Sequence, residues 1–298
     1  DYLCSMLTQK ECEIIEAKLF AAMEQQHRIL DQGAIGGGDI NETHKLITSS
    51  GQFFLKKNSA SKFPGMFEAE DKGLGLLHQH SSCTVPRVVQ RFEQNDVSYL
   101  LMDFLEVGNA KADFWEDFGQ KLAQMHKQSQ AGFGLDHNNF IGSLLQFNNS
   151  RSSWEAFFIE MRLEPMIRMA VDKGLIPKMD LPIFDKLFSL LHDFFPREAP
   201  AFLHGDLWNG NFSIGTDGYA CLFDPAVYFG HREMDLGMSK LFGGFKSEFY
   251  MSYHNSYPLE AGWEKRIEIA NLYPLLVHLN LFGGSYYAQV KENIKRFI

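Results

Sequence analysis

At residues 204–211 the chain reads HGDLWNGN, and the fold and function of the protein depend on how this stretch is interpreted. Asn and Gly are turn-forming residues, so a polar surface turn is one interpretation. However, Asp206 and Asn211 stand five residues apart, the spacing between proton acceptor and metal ligand in some phosphoryl-transfer loops. A second carboxylate, Asp224, follows thirteen residues after Asn211 in the stretch CLFDP. The rest of the chain has to decide between a turn and a catalytic loop.

The overall composition is that of a globular protein with an acidic balance. Its 298 residues are 45% hydrophobic and 22% charged, with a formal net charge of −9. Lys and Arg form no basic stripe, which disfavours nucleic-acid binding. The longest apolar runs are too short for a bilayer and no signal peptide is visible, so we expect no membrane association. Four scattered cysteines without a C-x-x-C pair favour reduced thiols and a cytoplasmic location.

Hydrophobic periodicity changes near residues 103–108. A helix is predicted over residues 8–31, followed by short strands into which a helix at 66–80 is inserted. Amphipathic helices dominate the remainder. We therefore expect an α+β protein with a small strand-rich nucleotide-binding lobe at 1–105. A larger, mainly helical catalytic and substrate-binding lobe would occupy 106–298, with a ligand cleft between the lobes.

The first lobe contains candidate groups for holding nucleotide phosphates. Backbone amides of a glycine turn can approach phosphate closely, and Gly37 and Gly38 are the candidates. Three glycines are more often a plain loop, and Asp39 beside them would place a negative charge near the phosphates.

A lysine on the following strand would complete the phosphate site. Lys56 is preferred over Lys57, which points to the other face of the strand. Glu70 is its expected partner, rather than Glu68, because Glu70 shares the inward face of its helix with Leu74.

The catalytic loop would then follow in the second lobe. Asp206 would accept or orient the proton of a substrate hydroxyl. Asn211 and Asp224 would offer oxygen ligands to Mg²⁺, with Asp224 bridging it to the β- and γ-phosphates of ATP. Each feature alone fits an ordinary surface, but their order and spacing together favour a kinase.

Longer motifs resemble those of one family. They are LHGDLWNGN at 203–211, FDPAVYFGHREMDL at 223–236, FGLD at 133–136, and Trp154 with FFIEMRL at 157–163. The chain resembles the fructosamine kinase (ketosamine-3-kinase) family, within the aminoglycoside-phosphotransferase-like kinases. The resemblance implies a two-lobed protein-kinase-like fold. It also implies ATP- and Mg²⁺-dependent phosphorylation of a sugar hydroxyl on a ketosamine of fructosamine or ribulosamine type, either free or protein-bound, as in the repair of glycation.

The resemblance implies further site residues. A hinge that holds adenine would include Asp103, Phe104, Leu105 and Glu106. Asp235 would brace the catalytic loop through contact with His204.

The substrate side is less defined. Trp208 could form a wall for the sugar or pack as an ordinary core aromatic. His231 and Arg232 could reach the cleft, although Arg232 and Glu233 could equally form an internal ion pair. Two other functions stay open: a kinase for another amine-bearing molecule such as an aminoglycoside or choline, and a non-catalytic nucleotide-binding protein.

Overall fold

A five-stranded antiparallel sheet lies within the first 103 residues of the computed structural model, which describes residues 6–36 and 40–298. The strand order is β1-β2-β3-β5-β4. The strands are β1 (Ile29–Ala34), β2 (Glu42–Thr48), β3 (Gly51–Ser59), β4 (Val88–Gln94) and β5 (Val97–Asp103). Two helices accompany the sheet, α1 (Gln9–Met23) and α2 (Met66–His80).

Helices and three short strand pairs make up the rest of the chain. The helices are α3 (Phe114–His126), α4 (Trp154–Phe157), α5 (Glu164–Asp172), α6 (Leu181–Leu190), α7 (Glu233–Leu241), α8 (Ser247–Ser256), α9 (Trp263–Ala270), α10 (Leu272–Phe282) and α11 (Ser285–Lys295). A π-helical segment, Phe158–Leu163, joins α4 to α5, and 3₁₀ turns occupy Lys178–Asp180 and Leu191–Asp193. The strand pairs are β6 (Asn139–Ile141) with β7 (Leu144–Gln146), β8 (Ala201–Leu203) with β11 (Tyr228–Gly230), and β9 (Phe212–Ile214) with β10 (Ala220–Leu222). Within the described ranges, no helix combines the length and apolarity that crossing a membrane requires.

The first helix is shorter than predicted. Thr8 and Glu11 form the expected capping box, but the helix closes at Glu24, whose φ of 54° is left-handed. Ile29–Ala34 then forms a strand paired with β2. The predicted helix over 8–31 is therefore confirmed as far as Met23, and the prediction was wrong for residues 24–31. Residues 24–28 contain no Gly or Pro to stop a helix, so pairing with β2 overrides local propensity.

Helix α2 has the predicted bounds and lies beside the site. Leu74 and Leu77 are buried on its inner face. A Cβ at Gly73 would lie 3.3 Å from Pro225 Cγ, so the glycine lets the helix pack closely against the segment that follows Asp224. This close approach places Glu70, one turn earlier, near the centre of the molecule.

One buried cluster joins the sheet to the helical part. It includes Leu100 of β5, Leu77 of α2, Phe118 of α3 and Leu222 of β10. Burial of such side chains contributes roughly 2 kcal/mol each, so the two parts are held together by a shared apolar core. The division at residues 105/106 stays a prediction; it falls in the connection between β5 and α3.

Candidate active site

A cavity of about 370 Å³ lies where the sheet faces the helical part. Its lining brings together Lys56, Glu70, Asp206, Asn211 and Asp224. These five residues come from β3, α2, the loop after β8 and the segment after β10. Groups separated by up to 168 residues along the chain therefore meet at one surface.

Lys56 is the cation of this cavity wall. It is 5% exposed, and its Nζ lies 2.6 Å from Glu70 Oε1 and also contacts Asp224 Oδ1. Burial opposes its charge, but the carboxylates of Asp224 and Glu70 outweigh this effect and hold the Lys56 pKa above its usual value. Lys57 points to the other face, where it pairs with Glu11 at 3.2 Å. Lys56 thus stays charged at the cavity wall.

The loop after β8 turns sharply at Gly205. Its φ is +82°, and a Cβ there would lie 2.0 Å from the carbonyl oxygen of Ala226. Only glycine fits this close crossing of two backbone segments. The turn directs the Asp206 side chain to the cavity. Asn211 Nδ2 donates to Asp206 Oδ2 and to the Asp206 carbonyl oxygen, each at 2.8 Å, which fixes both side chains.

Asp206 has the electrostatic properties of a proton acceptor. Burial raises its pKa to about 7, the hydrogen bond from Asn211 lowers it, and the negative charges of Asp224 and Asp235 raise it further. A carboxylate with a pKa near neutrality is a much stronger base than an ordinary Asp. This property makes Asp206 the candidate base of the site.

Asp235 and His204 hold the loop after β8 in place through hydrogen bonds to its backbone. Asp235 accepts hydrogen bonds from the backbone N–H groups of His204 and Gly205, at 2.8 and 2.9 Å. Burial alone would raise the Asp235 pKa, but hydrogen bonds and the nearby His126 outweigh it and lower the pKa. His204 Nε2 donates to the Phe223 carbonyl oxygen, while its Nδ1 accepts from Asp206 N–H. This imidazole consequently ties the Asp206 loop to the residue before Asp224.

Asp224 and Asn211 carry side-chain oxygen atoms that could bind a metal, and their backbone segments lie side by side. The Phe223 N–H donates to the Asn211 carbonyl oxygen at 3.2 Å, so Asp224 directly follows a residue bonded to Asn211. Asp224 has a φ of 53°, an uncommon left-handed conformation for a non-glycine residue. Among the described residues no group of three or more His, Cys, Asp or Glu side chains could hold a metal. One carboxylate and one amide suit Mg²⁺, which keeps water and phosphate ligands.

The predicted adenine hinge lies outside the cavity lining. Asp103 ends β5 and Phe104 is the next residue; their N–H groups donate to the carbonyl oxygens of Arg87 and Gln52, respectively. Leu105 and Glu106 follow, with Gln52 Nε2 donating to Glu106 Oε1 at 3.2 Å.

Of the predicted glycine turn, only the residues beside its centre belong to the described part of the chain. Gly37, Gly38 and Asp39 lie outside the described residues. Ile40 and Asn41, directly after them, line the cavity.

The three predicted substrate residues have different positions. Trp208 lines the cavity, and its ring lies over Gly210, where a Cβ would be 2.4 Å from the indole. His231 is buried against Phe195, and burial lowers its pKa to about 4. Arg232 is 3% exposed in a bidentate ion pair with Glu198 at 2.7 and 2.8 Å.

His231 and Arg232 are therefore not brought to the cavity, which Trp208 reaches. Glu233 pairs with Arg266 at 2.6 Å rather than with Arg232. The charges of Arg232 and Glu233 are thus each neutralised inside the protein by a partner more than 30 residues away in sequence.

Two further segments line the cavity although the sequence did not indicate them. Residues 139–143 form the β6–β7 hairpin, and Pro274, Val277 and His278 belong to α10. His278 Nδ1 donates to the Pro274 carbonyl oxygen at 2.7 Å, so Nε2 carries no proton in the neutral ring. The apolar α10 sequence is typical of core, and only its interrupting His278 could have signalled a site.

The fold and the site together define a kinase-like phosphotransferase. The chain has a TM-score of 0.60, at 11% identity, with an aminoglycoside phosphotransferase solved with ADP and hygromycin B; the match covers 95% of this chain and 98% of the other. At that identity only the fold is shared. It confirms the two-lobed protein-kinase-like architecture and the α+β fold class.

Nearer relatives define the family. The fructosamine kinase family matches residues 12–298. A probable ketoamine kinase of Synechocystis is 38% identical over 274 residues, covering 91% of this chain and 92% of its own. A chloroplastic protein-ribulosamine 3-kinase of Arabidopsis thaliana is 36% identical, covering 89% and 82%. A Haemophilus somnus structure assigned as a fructosamine-3-kinase has a TM-score of 0.85 at 31% identity, covering 95% and 96%. The chain belongs to the fructosamine kinase family.

Proposed function

We propose that this protein transfers the γ-phosphoryl group of ATP to a sugar hydroxyl of a ketosamine. The observation that carries the proposal is the meeting of Lys56, Asp206, Asn211 and Asp224 at one cavity. These side chains supply a phosphate cation, a base and two oxygen ligands, which are the parts that phosphoryl transfer requires. A non-catalytic nucleotide-binding protein would need no base with a raised pKa beside them.

Asp206 receives the hydroxyl proton in this proposal. Asn211 holds one carboxylate oxygen of Asp206, and the other oxygen is left for the substrate hydroxyl. Accepting this proton makes the hydroxyl oxygen a better nucleophile toward the γ-phosphorus. Asp235 and His204 keep the loop in place through the backbone bonds described above, so the base needs no rearrangement before transfer.

In this proposal the nucleotide is positioned by the side of the cavity that carries Lys56 and Glu70. Lys56 binds phosphate oxygens while Glu70 fixes its side chain at 2.6 Å. Gly37 and Gly38 would contribute backbone amides, and the segment from Asp103 to Glu106 would hold adenine. Asp224 and Asn211 would hold Mg²⁺, which neutralises charge on the β- and γ-phosphates when it is bound.

The acceptor is proposed to be cationic. A ketosamine carries an amine, and the Asp206 carboxylate at the cavity favours a positive ligand, whereas Glu70 and Asp224 pair with Lys56. Trp208 and the apolar part of α10 offer a wall for the sugar or for a protein side chain that bears it. Cys12, Cys83 and Cys221 form no disulfide among the described residues, and we propose a cytoplasmic location for the protein.

A substrate panel tests the proposed function directly. Purified protein is assayed for ADP release with ATP and Mg²⁺ against fructosamines, ribulosamines, aminoglycosides and choline. We expect turnover with ketosamines, lost in Asp206→Asn although ATP still binds. Turnover confined to aminoglycosides or choline would refute the substrate class, and full activity of Asp206→Asn would refute the assignment of the base.

A further inference from the structure

Arg162 is a buried cation whose role the catalytic groups do not explain. It lies in the π-helical segment and is fully buried. Among the described residues no carboxylate lies within 4 Å of its guanidinium, which instead packs 4.0 Å from the centre of the Tyr228 ring. An unpaired buried charge costs several kcal/mol, roughly. Wide π-helical turns also occur often at functional sites.

The Nη1 group of Arg162 donates to the carbonyl oxygens of Phe147 and Met161. Its Nη2 group leads into a buried amide cluster, which we define as Asn139, Gln146 and Asn148. Arg162 Nη2 donates to Asn148 Oδ1 at 2.8 Å. Asn148 Nδ2 donates to Asn139 Oδ1 at 3.0 Å, and Gln146 Nε2 donates to the same oxygen at 2.8 Å. All three amides are at most 3% exposed. The cluster is therefore shielded from bulk solvent.

The cluster ends on the segment that follows Asp224. Asn139 Nδ2 donates to the Val227 carbonyl oxygen at 2.8 Å, and Gln146 Nε2 to the Ala226 carbonyl oxygen at 3.0 Å. Ala226 N–H in turn donates to the His204 carbonyl oxygen at 2.9 Å. The same backbone thus links the amide cluster to both the Asp224 position and the Asp206 loop.

The donor groups of Arg162 set the direction of the bonds from Asn148 to Asn139 and from Asn139 to Val227. Arg has donors and no acceptor, so it must face the oxygen of Asn148. The amide group of Asn148 then points to Asn139 Oδ1, and the amide group of Asn139 is left to face Val227. At the other end, Tyr273 Oη donates to Gln146 Oε1 at 2.8 Å and directs the Gln146 amide group toward Ala226.

We propose that Arg162 is a positioning residue that holds Asp224 in its metal-binding conformation by orienting the amide cluster. The left-handed φ of Asp224 is an uncommon conformation that surrounding structure must stabilise. The carbonyl groups at 226 and 227 are where the cluster applies that constraint. This inference rests on the proposed function, in which Asp224 binds Mg²⁺ with ATP.

The test measures how strongly Mg²⁺ improves ADP binding, using titration calorimetry with Mg²⁺ and with a chelator. The wild-type ratio of the two dissociation constants tests the metal assignment of the proposed function. In Arg162→Gln, whose side chain can present either an oxygen or an amide group to Asn148, we expect this ratio to fall about tenfold. Metal-free ADP affinity should not change, because Lys56 is untouched.

Tyr273→Phe provides a milder variant if Arg162→Gln does not fold. It removes one hydroxyl and should lower the ratio by about threefold. Tyr287→Phe is the matched control, since it removes a 2.7 Å bond to Asp180 that is not part of the amide cluster. A purely structural role would lower the melting temperature and leave the ratio at the wild-type value.

The outcomes separate the two proposals. If wild type shows no improvement with Mg²⁺, the metal assignment fails and this inference fails with it. If wild type shows it and the folded variants retain the full ratio, the role of Arg162 is refuted while the proposed function stands.

Discussion

Asp206→Asn should stabilise the protein, and the gain should grow with pH. Burial raises the Asp206 pKa to about 7, whereas an Asp in an unfolded chain titrates near 3.9, approximately. Between these values the folded protein keeps a proton that the unfolded chain has released. Wild-type stability therefore falls with rising pH by about 1.4 kcal/mol per pH unit, and the loss stops above the folded pKa. Asn carries no such charge and keeps an acceptor for Asn211 Nδ2.

The magnitude follows from the width of that pH window. Between about pH 5 and pH 7, the difference in unfolding free energy between variant and wild type should grow by about 2 to 3 kcal/mol and then level off. Urea unfolding followed by tryptophan fluorescence at several pH values measures it. Asp185→Asn, at an exposed position on α6, is the matched control and should give a constant difference. The same difference at pH 5 and pH 8 for Asp206→Asn would refute the buried-base argument.

Three more predictions concern the phosphate cation, the base and helix packing. Lys56→Met should lower kcat/KM for ATP by about 100-fold, whereas Lys57→Met, on the other strand face, should leave it near wild type; a similar loss in both would contradict the assignment. The pH profile of kcat/KM should fall about tenfold per pH unit below the Asp206 pKa of about 7, and a flat profile to pH 5 would exclude Asp206 as the base. Gly119→Ala would place a Cβ 2.3 Å from the Phe249 carbonyl oxygen and should destabilise by about 1 to 3 kcal/mol. Gly75→Ala, with open space around it, should stabilise by up to about 1 kcal/mol, and thermal or urea unfolding of both variants decides.

The contact between Asp206 and Asn211 could be predicted because the two residues are close in the sequence. A short turn brings Asp206 and Asn211 into hydrogen-bonding contact, so the five-residue spacing was enough to predict that their side chains meet. Lys56 and Glu70 were selected by the period of a strand and of a helix, and the structure joins them at 2.6 Å. The choice of Lys56 needed only the two-residue alternation of a strand, and the choice of Glu70 needed only the period of a helix. Both periods can be read from the sequence.

Residues whose position depends on distant partners could not be predicted in this way. Nearness in sequence to Asp224 suggested that Arg232 faces the cleft, yet its partner Glu198 lies 34 residues earlier and holds it inside. Likewise, His278 lines the cavity because α10 packs there, although its apolar neighbours indicate core. The helix predicted over 8–31 failed beyond Met23 for a related reason, since strand pairing with β2 is absent from any local pattern.

The contact between Lys56 and Asp224 has a consequence for the end of each catalytic cycle. These two charges satisfy one another, with Glu70 as the second partner of Lys56. If nucleotide and metal draw Lys56 and Asp224 apart, as the proposed function requires, their departure would allow this ion pair to form again. We expect this internal exchange of partners to favour product release, so that the affinity for ADP is limited by the same residues that bind ATP.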